Sequence, residues 1–355
     1  MTIPTLAGAA VSGDHGGVTS VRTMLPGQIP QIDLSDEAAA VRTRLRTVAH
    51  EVGFFYLTGH GVPDGLTDRL LAAARALFAL PQADKDAVAM VNSPHFRGYT
   101  RLGGELTGGA VDWREQLDVG PEREPLTDPA EPHLRLQGPN QWPAGLPQLP
   151  AVIADWDAAL ARVARKLLQH WAVSLGSPAG VFDATFAETP ATLIKIVRYP
   201  AAAESPQGVG AHRDAGVLTL LLAEPGTRGL EVRGAGASEA TGNGEAGEWI
   251  DVDPLPGAFI VNIGEMLELA SGGYLRATEH RVRIADTERI SVPYFFNPRL
   301  DARLPVLTLP DELAAAARGV TADPSNERIF SVYGRNAWKS RLRAHPDVAA
   351  AHHYV

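Results

Sequence analysis

The stretch of sequence that decides the fold runs from Gly210 to Leu222 and reads GAHRDAGVLTLLL. It places His212 and Asp214 two positions apart, at the start of an apolar, strand-like run. Because residues i and i+2 of a β-strand point to the same side of a sheet, both side chains can face one ion. His280 lies in a second strand-like segment, ATEHRVRI, and offers a third ligand. The sequence therefore predicts a metal site made of two histidines and one carboxylate.

A second polar pair follows in the segment RISVPYFF, where Arg289 and Ser291 again occupy one face of a predicted strand. Arginine presents a planar fork that suits a carboxylate, and a serine hydroxyl can add a hydrogen bond to it. Two histidines and a carboxylate that leave metal positions open are the ligand set of non-haem Fe(II) oxygenases. An open metal site together with a carboxylate clamp fits 2-oxoglutarate, whose keto-acid end would chelate iron while its far carboxylate is held by the protein.

Four further segments carry a resemblance to a known family. They are IPQIDLS (29–35), VGFFYLTGHGVP (52–63), KIVRYP (195–200) and PGAFIVNIGE (256–265). With the metal and arginine motifs, they make most of the chain similar to the isopenicillin N synthase-like branch of the Fe(II)/2-oxoglutarate-dependent oxygenases.

This resemblance implies an α+β fold with a double-stranded β-helix (jelly-roll) core and flanking helices mainly from the N-terminal half. It implies that His212, Asp214 and His280 bind Fe(II), and that 2-oxoglutarate and O2 are co-substrates. The expected reaction hydroxylates, desaturates or cyclises a small molecule, with release of succinate and CO2. The alanine-, glycine- and arginine-rich composition suggests a role in specialised metabolism. Tyr199 falls where the family often has a tyrosine that helps to hold 2-oxoglutarate. Many plant relatives have an asparagine two residues earlier, where this chain has Val197, and this departure puts the role of Tyr199 in doubt.

Two other functions remain compatible with these motifs. Isopenicillin N synthase-type oxidases keep an Arg-x-Ser pair for other carboxylates and do not use 2-oxoglutarate. A metal-binding β-barrel without oxygenase activity, such as a zinc hydrolase, could also use His and carboxylate ligands. The carboxylate clamp speaks against the hydrolase, because hydrolysis does not need one.

Composition excludes several classes of protein. The chain has 355 residues, 32 basic and 41 acidic, with a net charge of −9, and it shows no concentrated basic face of the kind that binds nucleic acid. No apolar run approaches the length of a membrane helix. It has no cysteine, so disulfides and Cys-ligated metals are excluded. Without a basic-then-apolar signal pattern at the start, the expected location is the cytoplasm; the oligomeric state is left open.

The pattern of apolar residues divides the chain into regions with different predicted structures. A helix should begin after a Ser35 N-cap, and a long helix should cover about 151–175, before a dense series of short strands. We expect these regions to be a flexible arm (1–27), an N-terminal oxygenase region (28–150), the long helix with its connection (151–188), the jelly-roll core (189–300) and a C-terminal helical extension (301–355).

Other residues receive weaker predictions. Residues 92–120 look irregular, and family resemblance suggests that they contribute to the wall facing the substrate. The charged and aromatic residues of this segment are Arg97, Tyr99, Arg101, Glu105, Trp113, Arg114 and Glu115. The glycine-rich stretch 234–247 is expected to be a mobile hairpin loop, with a lid as the alternative. Glu279 should face away from the metal, and Asn262 should have a capping or turn role.

Overall fold

The computed structural model describes residues 29–188, 190–201, 205–234, 247–320 and 329–355. The predicted arm (1–27) and nearly all of the predicted hairpin loop (235–246) lie outside the described residues. Within them, no helix combines the length and apolar character needed to cross a membrane.

The helices lie mainly before and after the core strands. They are α1 (Ala38–Glu51), α2 (Asp64–Ala79), α3 (Gln82–Asp86), α4 (Leu149–Ser174), α5 (Glu265–Ala270), α6 (Asp311–Ala316), α7 (Tyr333–Ala344) and α8 (Pro346–Ala351), with 3-10 turns at Met90–Asn92, Pro132–Leu136 and Asp183–Phe186. The long predicted helix is confirmed as α4. The predicted N-cap of α1 is wrong, because Glu37 accepts the N–H groups of Ala39 and Ala40, whereas the Ser35 hydroxyl donates to Asp33.

The strands occupy most of the chain between these helices. They are β1 (Gln31–Asp33), β2 (Phe54–Thr58), β3 (Gly98–Thr100), β4 (Glu105–Thr107), β5 (Ala110–Asp112), β6 (Glu115–Val119), β7 (Leu193–Tyr199), β8 (Gln207–His212), β9 (Leu218–Ala223), β10 (Leu230–Arg233), β11 (Trp249–Asp251), β12 (Phe259–Ile263), β13 (His280–Arg283) and β14 (Arg289–Phe296). The prediction that 92–120 is irregular is therefore wrong in part, because β3 to β6 lie there. Gly103 and Gly104 lie in the turn between β3 and β4, and Gly108 and Gly109 lie in the turn between β4 and β5.

Two sheets build the core. The major sheet has eight strands in the order β1-β2-β12-β9-β14-β7-β6-β3, and the minor sheet has four in the order β11-β10-β13-β8. The hairpin β4–β5 is separate from both. Strands of the N-terminal half thus extend the major sheet at both edges, so the two halves of the chain share one sheet. Within the described residues, the sheets do not close into a single hydrogen-bonded barrel.

The two sheets face each other across an apolar interior. Phe54, Val197 and Ile260 of the major sheet form one buried cluster with Val232 and Val282 of the minor sheet. Side chains of a strand alternate between its faces, so the other face of the major sheet needs its own cover.

Helix α4 is the main part of that cover. Its buried positions recur at helical spacing and include Val152, Trp156, Val163 and Leu167. The Trp171 indole donates to the carbonyl of Leu45 in α1 (3.3 Å), so its polar N–H is paired although the ring is fully buried. The helices thus pack against the outer face of the major sheet, and the site lies on its inner face.

Candidate functional site

The three predicted metal ligands lie together where the minor sheet meets the turn after β8. His212 is the last residue of β8, and His280 is the first residue of β13, directly paired with it across the strands. Asp214 follows β8 in a turn, so the expectation that it shares a strand with His212 is wrong. The turn nevertheless brings its carboxylate to the same point, and the three side chains offer ligand atoms within 4.8 Å of one another.

The distances indicate a space for one small cation. Asp214 Oδ1 is 3.6 Å from His212 Nε2 and 3.8 Å from His280 Nε2, and the two imidazole centroids are 4.4 Å apart. The Nδ1 atoms point away from the centre, to the carbonyls of Gly210 (2.8 Å) and Thr278 (3.1 Å). A carbonyl can only accept, so each Nδ1 carries a hydrogen and each Nε2 can direct its lone pair at a metal.

The backbone of the turn fixes the position of Asp214. Its carbonyl accepts the N–H of Glu265 at the start of α5 (2.8 Å), and the carbonyl of Gly216 accepts that of Met266 (3.0 Å). Gly264 packs so closely against Gly216 that a Cβ at position 264 would lie 2.2 Å from the Gly216 carbonyl oxygen. The glycines are therefore needed for close approach of two backbones.

The carboxylate of Asp214 is oriented by two neighbours. Asn262 Nδ2 donates to Oδ2 (2.8 Å), and the Thr219 hydroxyl donates to the same atom. Thr219 and Asn262 are cross-strand partners on β9 and β12. The predicted capping or turn role of Asn262 is therefore wrong. The sequence did contain a signal for this contact. Thr219 and Asn262 are each a polar residue in an otherwise apolar strand, and a buried polar group needs a hydrogen-bond partner.

The electrostatics of this cluster favour one positive charge at its centre. Burial alone would raise the pKa of Asp214, but its contact with His212 and the charge of His280 lower it well below the usual range. Burial opposes protonation of His212, yet the hydrogen bond and charge of Asp214 raise its pKa. Burial and the charge of His212 lower the pKa of His280 to about 4. The Asp214 carboxylate is therefore ionised and stabilises positive charge at this point, which a metal cation can supply.

Arg289 has the environment expected of an anion-binding residue. It is 2% exposed, and its Nε and Nη1 atoms have no hydrogen-bond partner in the described part of the chain. Its guanidinium lies over the ring of Tyr199 (5.4 Å to the centroid), with which Arg289 is paired across β14 and β7. Burial lowers the pKa of Arg289. Since a buried charge without a partner is costly, this group fits an anionic ligand.

Ser291 lies two residues along β14, buried on the same face as Arg289. It is paired with Val197 on one side and Ala223 on the other, so small or apolar neighbours surround its hydroxyl. The strand on the Ala223 side, β9, also carries Thr219, which holds Asp214. The clamp residues and the metal cluster therefore meet on one inner surface.

Family models agree with this arrangement. Residues 191–298 match the model described as 2OG-Fe(II) oxygenase superfamily, and residues 29–145 match the N-terminal model described as non-haem dioxygenase in morphine synthesis. The chain belongs to the Fe(II)/2-oxoglutarate-dependent oxygenases. Its cofactor is Fe(II), and its co-substrate is 2-oxoglutarate.

Curated relatives of this oxygenase are similar over most of their length. A 2-oxoglutarate-dependent dioxygenase (frbJ) of Dothideomycetidae sp. (strain 11243) is 33% identical, over 90% of each chain. A homoarginine-6-hydroxylase of Oryza sativa subsp. japonica is 32% identical, over 77% of this chain and 82% of that protein. These names favour a 2-oxoglutarate-dependent dioxygenase over an oxidase that does not use 2-oxoglutarate and over a non-oxygenase barrel.

Solved structures confirm the predicted jelly-roll core. A 2OG-Fe(II) oxygenase family protein from Caulobacter crescentus matches with a TM-score of 0.70 and 24% identity, over 89% of this chain and 99% of that one. The structure of JOX2 in complex with 2OG, Fe and JA matches with a TM-score of 0.67 and 25% identity, over 91% and 88%.

The charged residues of the N-terminal segment separate onto the two faces of the oxygenase sheet. On the outer face, Glu115 accepts hydrogen bonds from Lys85, Tyr99 and Arg198. Arg101 is exposed and pairs with Asp86. Tyr99, Arg101 and Glu115 therefore do not reach the metal side, whereas Arg114 and Glu105 do.

A buried ionic cluster covers the inner end of β6 and β7. Glu105 accepts from Arg114 Nη2 (2.8 Å) and Lys195 Nζ (2.7 Å). Asp118 accepts from Arg341 Nη1 of α7 (2.6 Å) and lies 3.4 Å from Lys195 Nζ. Burial would raise the pKa of Glu105, but Arg114 and Lys195 hold it well below the usual range. These carboxylates are therefore ionised and fully engaged with internal cations.

Proposed function

We propose that the oxygenase hydroxylates a small-molecule substrate at an iron held by His212, Asp214 and His280, with the far carboxylate of 2-oxoglutarate held by Arg289 and Ser291. The observation that carries this proposal is the buried guanidinium of Arg289, whose Nε and Nη1 have no hydrogen-bond partner among the described residues. Arg289 lies on the same inner surface as the compact His-Asp-His cluster. A single molecule of 2-oxoglutarate can therefore bind the metal at one end and Arg289 at the other.

Each of these side chains has a distinct task. The Nε2 atoms of the histidines and Oδ1 of Asp214 supply the metal ligands, while Asn262 keeps Oδ2 turned away from the ion. Arg289 orients the co-substrate through its far end, and the Tyr199 ring forms one wall around the guanidinium. The apolar interior between the sheets excludes water from the reacting atoms.

Iron with 2-oxoglutarate and O2 supplies the oxidising power, and succinate and CO2 are released. Hydroxylation is the proposed outcome, and it agrees with the name of the rice relative. Desaturation and cyclisation are other outcomes of the same chemistry. A setting in specialised metabolism and a cytoplasmic location stay predictions from composition.

Anaerobic titration of the protein with Fe(II) and 2-oxoglutarate tests the proposal. Wild type should develop the visible charge-transfer band of iron chelated by a keto acid. Asp214→Ala should lose the band, because it removes the only anionic ligand in the cluster, and its far-ultraviolet circular dichroism should stay unchanged.

Glu279→Gln is the matched control. This carboxylate is adjacent to His280 but faces away, toward Arg233 (3.0 Å), as alternation predicts. The control should keep the band. A wild-type protein without the band, or an Asp214→Ala variant that retains it, would refute the proposed ligand set.

A further inference from the structure

The inner face of β6 carries polar side chains beside the proposed co-substrate clamp. Strand alternation puts Gln116 on the same face as Val197, its partner in β7, and Arg114 precedes it by two residues. The register that pairs Glu115 with Arg198 brings Arg114 next to Tyr199. The inner face of the major sheet therefore carries Arg289, Tyr199 and Arg114 side by side, in one row across the strands.

Hydrogen bonds also connect Arg114 to the metal cluster. Asp112 Oδ2 accepts from Arg114 Nη2 (3.3 Å), and its Oδ1 accepts from the N–H of Gly210 (3.2 Å). The carbonyl of the same Gly210 accepts from His212 Nδ1 (2.8 Å). Arg114 is thus connected to His212 through Asp112 and Gly210, and it lies beside Tyr199 of the co-substrate clamp.

Two buried polar atoms on this face lack partners. Arg114 is 8% exposed, and its Nε has no acceptor among the described residues. Gln116 is fully buried, and its Oε1 has no donor there, although its Nε2 donates to Asp118 (2.8 Å). Unsatisfied buried groups of this kind call for a ligand or a bound water.

The charges of the buried ionic cluster limit which kind of ligand can bind beside Arg114 and Gln116. Glu105 and Asp118 already bind Arg114, Lys195 and Arg341, so they do not offer a free acidic site for a cationic substrate. The unpaired groups that the described residues leave beside the clamp include a charged N–H donor at Arg114 and a neutral acceptor at Gln116. A purely apolar substrate would leave both groups unpaired, at a cost of roughly 1–3 kcal/mol each.

We propose that Arg114 and Gln116 form the head-group subsite for the prime substrate, and that this substrate is an amino acid or a close analogue. Its carboxylate would accept from Arg114 Nε, and its amino group would donate to Gln116 Oε1. Positions i and i+2 of a strand are about 7 Å apart, so both long side chains can converge on neighbouring groups of one small molecule. This inference rests on the proposed function, because it takes the metal and 2-oxoglutarate sites as given.

Matched probes test the subsite in the anaerobic Fe(II)–2-oxoglutarate form of the full chain. The probes are the proteinogenic L-amino acids, each beside the amine that lacks its carboxylate. At least one amino acid should shift the charge-transfer band and, in air, increase succinate release. Its matched amine should bind at least about tenfold more weakly, the least expected for a lost charge-assisted hydrogen bond. Equal binding of the two probes, or no response to any amino acid, would overturn the proposal.

Two variants separate the subsite from a structural role. Arg114→Lys keeps a cation for Glu105 but loses Nε, and should weaken binding of the responding amino acid about tenfold or more without changing the affinity for 2-oxoglutarate. Gln116→Met removes the acceptor at similar volume and should weaken binding of the amino acid but not binding of the matched carboxylic acid that lacks the amino group. If Arg114→Lys does not fold, Gln116→Met alone tests the subsite.

The control Arg283→Lys changes an exposed arginine that also pairs with a glutamate, Glu231. It should bind the amino acid like wild type. Wild-type affinity in both Arg114→Lys and Gln116→Met would refute the subsite while leaving the proposed function intact. A missing charge-transfer band in wild type would instead refute the proposed function, and the subsite with it.

Discussion

Replacing Arg289 by methionine should have opposite effects on stability and on co-substrate binding. In the ligand-free protein, Arg289 is 2% exposed and its Nε and Nη1 have no partner in the part of the chain that the structure describes, so its burial opposes folding. Arg289→Met replaces this group with an apolar chain of similar length. The melting temperature of the ligand-free variant should therefore be equal to or higher than that of wild type.

The same substitution should weaken 2-oxoglutarate binding. A hydrogen bond to a charged group contributes roughly 1.5–3 kcal/mol, and the buried guanidinium of Arg289 can form such a bond with the carboxylate. The net loss of even one such bond corresponds to about tenfold to a hundredfold in affinity. Succinate formation against 2-oxoglutarate concentration, at saturating Fe(II), measures this change. Ser291→Ala removes a neutral donor and should cost less.

Arg198→Met is the matched control on the next strand. Arg198 lies on the other face of the sheet and is paired with Glu115 and Glu288. This variant should lower the melting temperature and leave the 2-oxoglutarate requirement unchanged. If Arg289→Met destabilised the ligand-free protein and bound 2-oxoglutarate normally, Arg289 would be a structural residue and the clamp would be wrong.

Two further predictions concern the metal ligand and the glycine-rich loop. Asn262→Leu removes a donor from Asp214 and should weaken Fe(II) binding about tenfold to a hundredfold, measured by anaerobic titration, with the fold retained; unchanged affinity would show that Asn262 does not orient the ligand. Replacing residues 235–246 by a short glycine-containing turn should leave turnover and melting temperature nearly unchanged, because the N–H of Gly234 already donates to the carbonyl of Glu248 (2.8 Å). A large loss of turnover in a folded variant would favour the lid.

The sequence predicted the parts of the site that follow from local spacing. His212 and Asp214 are two residues apart, as are Arg289 and Ser291, and such short spacings limit where side chains can point. The structure places the Asp214 carboxylate beside His212 and His280. The predicted backbone was wrong, because the strand ends at His212 and Asp214 lies in the turn that follows. The spacing of the residues thus predicted which side chains lie together better than it predicted the backbone conformation that brings them together.

The missed features depend on pairing between distant strands. Asn262 reaches Asp214 only because β12 pairs with β9. Arg114 was predicted only as part of a segment that faces the substrate, and its place beside Tyr199 depends on the pairing of β6 with β7. Such pairings follow from the packing of the whole chain, so a single sequence with no structure does not reveal them. The same holds for Arg341, which comes from α7 to neutralise Asp118.

An anaerobic crystal structure of the protein with Fe(II) and 2-oxoglutarate tests the central claim most directly. We expect the iron to bind Nε2 of His212, Nε2 of His280 and Oδ1 of Asp214, and the far carboxylate of 2-oxoglutarate to accept hydrogen bonds from the guanidinium of Arg289. Iron bound elsewhere, or a co-substrate whose far carboxylate leaves Arg289 without a partner, would contradict this account.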